Sequence, residues 1–254
     1  MITRPQLLAT TLCLGPVLSA AQSTTQSAPP ISTDRPTFSD GSSLMSKGQW
    51  QFESGTTANT ISGSTIATYG ELLSRYGLSN HIEFRLSNVT WTHVPGQTSG
   101  FQDPSLGFKF WLQSGSLKRP DLTAEFMTTL PAGADQFRVN RSQPTAKLIW
   151  NQQLDANTAI AGNFLVSDLG ADGSRFTQWA QSVYLSRSLN PKLGLFAEVY
   201  RLDPIAYAGP SASFYDAGIT YLLNNNLQLD ARFGAGFDPQ RDGRTVGVGM
   251  SYRY

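Results

Sequence analysis

From Gly48 to Tyr254, apolar residues return at every second position, and the residues between them are mostly Gly, Ser, Thr, Asn and Gln rather than Lys and Glu. A period of two is the signature of strands with one greasy face. The final stretch is the cleanest: Val246, Val248, Met250, Tyr252 and Tyr254 share one face, while Thr245, Gly247, Gly249, Ser251 and Arg253 share the other. Leu227, Leu229, Ala231, Phe233, Ala235 and Phe237 alternate in the same way, as do Tyr215 to Leu223, Leu193 to Val199, Leu122 to Phe126 and Leu106 to Leu112. One segment changes phase. Ile82, Phe84 and Leu86 occupy even positions, whereas Val89 and Trp91 occupy odd ones, so a β-bulge is expected near Ser87-Asn88.

The alternation runs through roughly twelve segments of about 9–12 residues, the length a tilted strand needs to cross a bilayer. Their connections alternate in kind. Tight turns are expected at Gly77–Asn80, Ser116–Arg119, Leu154–Asn157, Leu189–Pro191 and Leu223–Asn226, and the intervening links are on the whole longer and richer in Gly and Pro. Outer-membrane barrels place short turns on the periplasmic side and longer loops outside, and an even strand number returns both termini to the periplasm. A soluble sandwich also alternates, but it exposes dense charge on its outer face. Here charged residues make up only 15% and hydrophobic ones 40%, against about 25% charged in ordinary soluble domains. The fold class expected is therefore all-β: an antiparallel, up-and-down transmembrane β-barrel of about twelve strands. Trp50, Tyr76, Trp150 and Tyr221 fall near periplasmic strand ends, where an aromatic girdle belongs.

The ends of the chain carry transport signals. Arg4, the apolar run Leu7–Leu18 and the small residues Ser19-Ala20-Ala21 read as a secretory signal peptide over residues 1–21. Its apolar run falls short of the ~20 residues that span a bilayer as a helix. Cys13, the only cysteine, lies inside it, so the mature chain holds no disulfide. Residues 22–47, rich in Ser, Thr and Pro, read as an irregular periplasmic arm, and residues 48–254 as the barrel. The aromatic last strand, ending Gly249-Met250-Ser251-Tyr252-Arg253-Tyr254, looks like the C-terminal signal by which outer-membrane assembly machinery recognises barrels.

Several segments carry a family likeness: Thr33-Asp34-Arg35-Pro36-Thr37-Phe38 in the arm, Lys47–Gly55, Glu71–Asn80, Asp103–Lys109 and Thr220–Asp230. Together they resemble the bacterial outer-membrane transporter family labelled "meta-pathway of phenol degradation", over most of the chain from Thr33 onward. The resemblance implies an outer-membrane barrel that passes small, aromatic or hydrophobic, solutes.

Parity places Glu53, Glu71, Arg75, Glu83, Arg85, Lys109, Glu125, Lys147, Glu198, Asp216, Asp230, Arg232 and Arg253 on the lumen side. Their signs are mixed, unlike the single-sign ring of a strongly ion-selective pore. Two readings stay open: the charges line a narrow aqueous path and contact a solute, or they pair across the interior and brace a closed barrel. Phe196 and Tyr200 face the same way, either to stack on an aromatic solute or to fill space. The motif adds an expectation that Asp34 and Arg35, beside Pro36, tuck into the periplasmic mouth and pair with lumen charges; the alternative is a leader without order.

Other functions find little support. The 19 basic and 18 acidic residues nearly cancel, so no nucleic-acid partner is expected. A barrel hydrolase needs a Ser–His or acid–His constellation. The chain has only His81, beside an expected periplasmic turn, and His93, near an outer strand end. No catalytic residue, cofactor or metal site is expected. The partners expected are membrane lipid, the assembly machinery and a small solute.

Overall fold

In the computed structural model, residues 28–61, 63–96, 99–171, 173–237 and 243–254 are described; the expected signal peptide lies outside them. The strands are β1 (Trp50–Ile61), β2 (Ser64–Ser79), β3 (Ile82–His93), β4 (Gly100–Phe101), β5 (Ser105–Gln113), β6 (Asp121–Thr129), β7 (Pro144–Gln153), β8 (Thr158–Ala171), β9 (Ser174–Ser188), β10 (Leu193–Asp203), β11 (Ala212–Asn224), β12 (Leu227–Gly236) and β13 (Arg244–Arg253). The two-residue β4 only extends the pairing of β3. The other twelve form one closed antiparallel sheet, each paired with its sequence neighbours, and β13 pairs with β1 to close the ring. Closure removes the open edge, the only way a sheet can satisfy its backbone groups in lipid.

The burial pattern is inverted relative to a soluble protein. Arg75, Glu53, Glu83 and Lys109 are 0% exposed, while Val248 is 57% and Phe126 54% exposed. Lipid, not water, is the solvent of the apolar face, so the alternation read from the sequence maps onto wall and lumen. The tight turns Asn80-His81, 154–157, 189–192 and Asn225-Asn226 all lie at one end, with residues 114–120 and the C-terminus. Trp50 packs on Tyr76 there, with ring centroids 4.5 Å apart.

The expected bulge falls where the sequence put it. Ser87 pairs with Ser105 in the phase of the inward Glu83 and Arg85, but by Thr90 and Thr92 the even positions face inward. A second irregularity carries no marker in the sequence. On β2 the register slips opposite Glu53–Thr56, around Gly70 (φ 86°) and Glu71 (φ 25°). Gly70 takes the left-handed conformation at no steric cost, and the Glu71 carboxylate, in phase with the inward Arg75, faces the lumen and meets Arg35.

Candidate functional site

The arm does not stay below the barrel. Residues 28–48 enter at the turn end, climb to mid-height and come back down. At the entrance, Arg253 Nη2 donates to the Pro29 carbonyl (2.6 Å) and the Ile31 amide to that of Asn225 (2.7 Å). At the summit the Phe38 and Ser39 amides donate to Glu198, halfway along β10, at 2.7 and 3.0 Å, and the Ser39 hydroxyl donates to the same carboxylate. On the return, Lys109 Nζ donates to the Gly41 carbonyl (2.9 Å), Arg75 Nη2 to that of Ser43 (2.8 Å), and the Met45 amide to Glu83 (2.8 Å). The Gly48 amide then meets the Gly77 carbonyl at 2.8 Å and the chain passes into β1. An irregular segment buried in this way has no ladder for its amides and carbonyls, so the inward charges of the wall take that role.

On the side formed by β1, β2, β3, β5, β6 and β7, the charges form one continuous network. Arg75 grips Glu83 through Nε (2.9 Å) and Nη2 (3.0 Å), and reaches Glu53 at 3.1 Å. Glu53 in turn accepts the Asp34 and Arg35 amides, at 3.0 and 2.8 Å. Arg85 touches Asp34 (2.5 Å), Glu83 (2.9 Å) and Glu125 (3.0 Å). Lys109 lies 3.4 Å from Asp34, and Lys147 joins Glu125 (3.1 Å) to the arm's Asp40. Burial alone would raise the Asp34 carboxyl, but Arg75, Lys109 and Arg85 together hold it well below the usual carboxylate range.

The side formed by β8 to β11 is largely uncharged. Ala161, Asn163, Ser167, Ala180 and Ser182 are buried and small or neutral. Phe38 of the arm stacks on Tyr200 at 4.3 Å with planes 6° apart, and Tyr200 stacks on Phe214 at 5.1 Å. Phe196, 7% exposed, lies further toward the turn end. Glu198 and Asp216 face each other across β10 and β11 within this apolar side. Arg232 on β12 donates to the Pro36 carbonyl at 3.0 Å and stands 4.0 Å from Asp216, while Asp230 meets Arg35 at 3.4 Å.

The structure thus brings nearly every lumen charge read from the sequence onto the arm or onto a residue that holds it. Arg253 does so at the turn end, where it holds Asn226 and the arm's Pro29. Asp34 and Arg35 pair with lumen charges as expected, though deeper than the mouth, and Pro36 is buried beside them. Sequence reasoning missed Phe38, Ser39 and Asp40. The available signal was the aromatic that ends the motif, with a hydroxyl and a second acid directly after it. His81 tilts against Trp111 at the turn end, and His93 Nδ1 meets Ser99 Oγ at 2.8 Å at the other.

Three cavities border the arm. A vestibule of about 550 Å³ on the loop side is lined by Asp40, Glu71, Arg85, Gln143, Lys147 and Arg232. On the turn side, one of about 400 Å³ is lined by Ser43, Trp111, Thr123 and Tyr184, and one of about 190 Å³ by Pro36, Tyr184, Phe196 and Thr220. The most apolar depression, about 510 Å³ between Phe126, Leu148, Phe164 and Trp179, lies on the outer wall and faces lipid, not the lumen.

A family model described as "Putative MetA-pathway of phenol degradation" matches residues 33–254. Among solved structures, the chain is similar to the COG4313 outer membrane channel from Pseudomonas putida F1, at 13% identity and a TM-score of 0.63, covering 84% of this chain and 97% of that one. It is also similar to the KdgM porin in complex with disordered oligogalacturonate, at 8% identity and a TM-score of 0.56, covering 79% and 98%. At these identities the likeness shows the fold, an outer-membrane barrel. No curated protein sequence matches the chain.

Proposed function

Because the chain belongs to the phenol-degradation MetA-pathway family, we propose that it is an outer-membrane channel passing small aromatic or hydrophobic solutes beside its own arm. The observation that carries this reading is the stack of Phe38 on Tyr200 and Phe214, on the neutral side of the lumen. A flat apolar solute from the vestibule can replace the contacts that Phe38 makes, at the point where the arm separates the vestibule from the turn-side cavities. The charged side serves as the anchor of the arm, and the inward charges Glu53, Arg75, Glu83, Arg85, Lys109, Glu125, Glu198, Asp216, Asp230 and Arg232 act on a solute through the arm's position. The chain is not an enzyme in this reading. Residues 1–21 direct export, and the aromatic last strand is presented to the assembly machinery.

The test is single-channel conductance of the refolded mature protein in a planar bilayer, with liposome uptake of a small aromatic against a sugar of similar size. Discrete steps that change on charge reversal at Arg85 or Asp230, with uptake favouring the aromatic, are the expected result. A second reading is a braced barrel without transport, favoured by the unbroken ion-pair network around Asp34. A protein that inserts yet conducts nothing, and admits neither solute, would establish that one.

A further inference from the structure

Arg35 lies across the line where the barrel closes. At that seam β1 pairs with β13, and Gly55 stands opposite Gly249. A Cβ at either position would overlap the Arg35 guanidinium, so two glycines leave a flat bed on the wall for a planar group. Acceptors around that bed come from the strands on either side. Glu71 on β2 accepts from Nη1 at 2.8 Å, and Nη2 reaches the Val248 carbonyl on β13 at 3.2 Å and Asp230 on β12 at 3.4 Å. The Asp230 side chain is 0% exposed, and its Oδ2 has no hydrogen-bond partner among the described residues. The wall therefore keeps an acceptor that Arg35 does not use, while the Arg35 Nε, over the two glycines, has no hydrogen-bond partner among the described residues.

A flat bed with carboxylates on two sides matches a planar fork of donors, and it matches a compact ammonium poorly. Only the cation belongs to the arm; every other part of the slot belongs to the wall. If the arm withdraws, Glu71 and Asp230 lose the guanidinium that pairs them, and a confined carboxylate is costly until it is paired again or protonated.

We propose that Gly55, Glu71, Asp230, Val248 and Gly249 form a guanidinium-binding site on the barrel wall, filled in the closed state by Arg35 as an internal ligand. Solutes bearing a guanidinium or amidinium group occupy it when the arm leaves. The proposal rests on the channel reading for the arrival of such a solute, but the slot itself can be tested without conduction.

The experiment uses the refolded mature chain carrying Arg35→Ala, with ethylguanidinium as the probe and ethylammonium at equal ionic strength as the control. Thermal unfolding in detergent reads occupancy of the slot, because a ligand bound only to the folded state raises its stability as concentration rises. Ethylguanidinium at millimolar levels is expected to raise the unfolding midpoint of Arg35→Ala, with a much smaller shift from ethylammonium. It is expected to leave the wild type, whose slot is filled, unchanged, and to lose its effect in Arg35→Ala/Asp230→Asn. Equal shifts from the two cations, or a shift that survives in the double variant, overturn the proposal. If Arg35→Ala does not refold, Arg35→Lys takes its place: a point charge in a slot built for a fork should leave the variant selectively responsive to ethylguanidinium, and a response like that of the wild type overturns the proposal. Bilayer recordings separate the two readings. A thermal response without current removes the channel and keeps the slot, whereas current through Arg35→Ala with no selective thermal response removes the slot and keeps the channel.

Discussion

The two sides of the lumen hold the same arm by different physics. From β1 to β7 the wall meets it with buried ion pairs: Arg75, Arg85 and Lys109 converge on Asp34, and Lys147 on Asp40. From β8 to β11 it meets the arm with small neutral side chains, two rings stacked on Phe38 and one carboxylate, Glu198, that accepts backbone amides. Ion pairs out of water are costly to separate and depend on every member of the network. Ring stacking is weaker, and another ring of similar shape can replace it. The charged side is thus the anchor and the aromatic side the part that can yield.

The comparison breaks most sharply at Arg75. Its removal leaves Glu53 and Glu83 buried without their main cation, so Arg75→Ala should cost about 3–5 kcal/mol, read as a lower temperature for the shift between folded and unfolded bands on a gel. A loss no greater than that of a surface arginine would mean that the network does not carry the arm.

Deleting Thr33–Phe38 tests both sides at once. The variant should insert, conduct with larger steps than the wild type and lose thermal stability. No change in either quantity would sink the idea that the arm fills the lumen.

On the aromatic side, Tyr200→Ala should cost about 0.5–1.5 kcal/mol for each lost ring pair beyond the area it uncovers, yet raise the rate of aromatic uptake into liposomes more than its effect on stability suggests. Tyr200→Phe, which keeps the ring, should match the wild type. If alanine slows uptake instead, the rings form a binding surface rather than a closure.

The smallest effect is that of acid. The folded Asp34 carboxyl lies below its unfolded value of about 3.9, so its contribution is fully present above that value and fades as pH falls toward the depressed folded one. The part of an acid titration of the conductance that belongs to Asp34, read as the difference between wild type and Asp34→Asn, should therefore appear only below about pH 4. A transition in that difference near neutrality would assign the control to other groups.

Much of this was legible along the chain because a strand's faces alternate strictly. Val246 to Tyr254 declares its lipid face with no knowledge of any neighbour, and the turn at Asn224–Asn226 follows from its residue types. The phase slip of Ile82–Trp91 revealed its bulge because both flanks carry apolar markers. The slip at Gly70-Glu71 stayed hidden because Gly70-Glu71-Leu72-Leu73 has no alternating pattern to slip against. In the arm there is no periodicity at all, so sequence could mark Asp34 and Arg35 as unusual without saying how far in they reach.

By itself, then, the sequence determined the wall: a closed antiparallel barrel of twelve crossing strands, apolar outside and polar within, since period two and strand length are local properties. Only the tertiary structure decided what the inward charges do. Glu53, Arg75 and Asp230 are far apart in the chain, and whether they line a path or grip a plug depends on where residues 28–48 run. That course is set by partners contributed from nearly every strand at once, which no local pattern encodes.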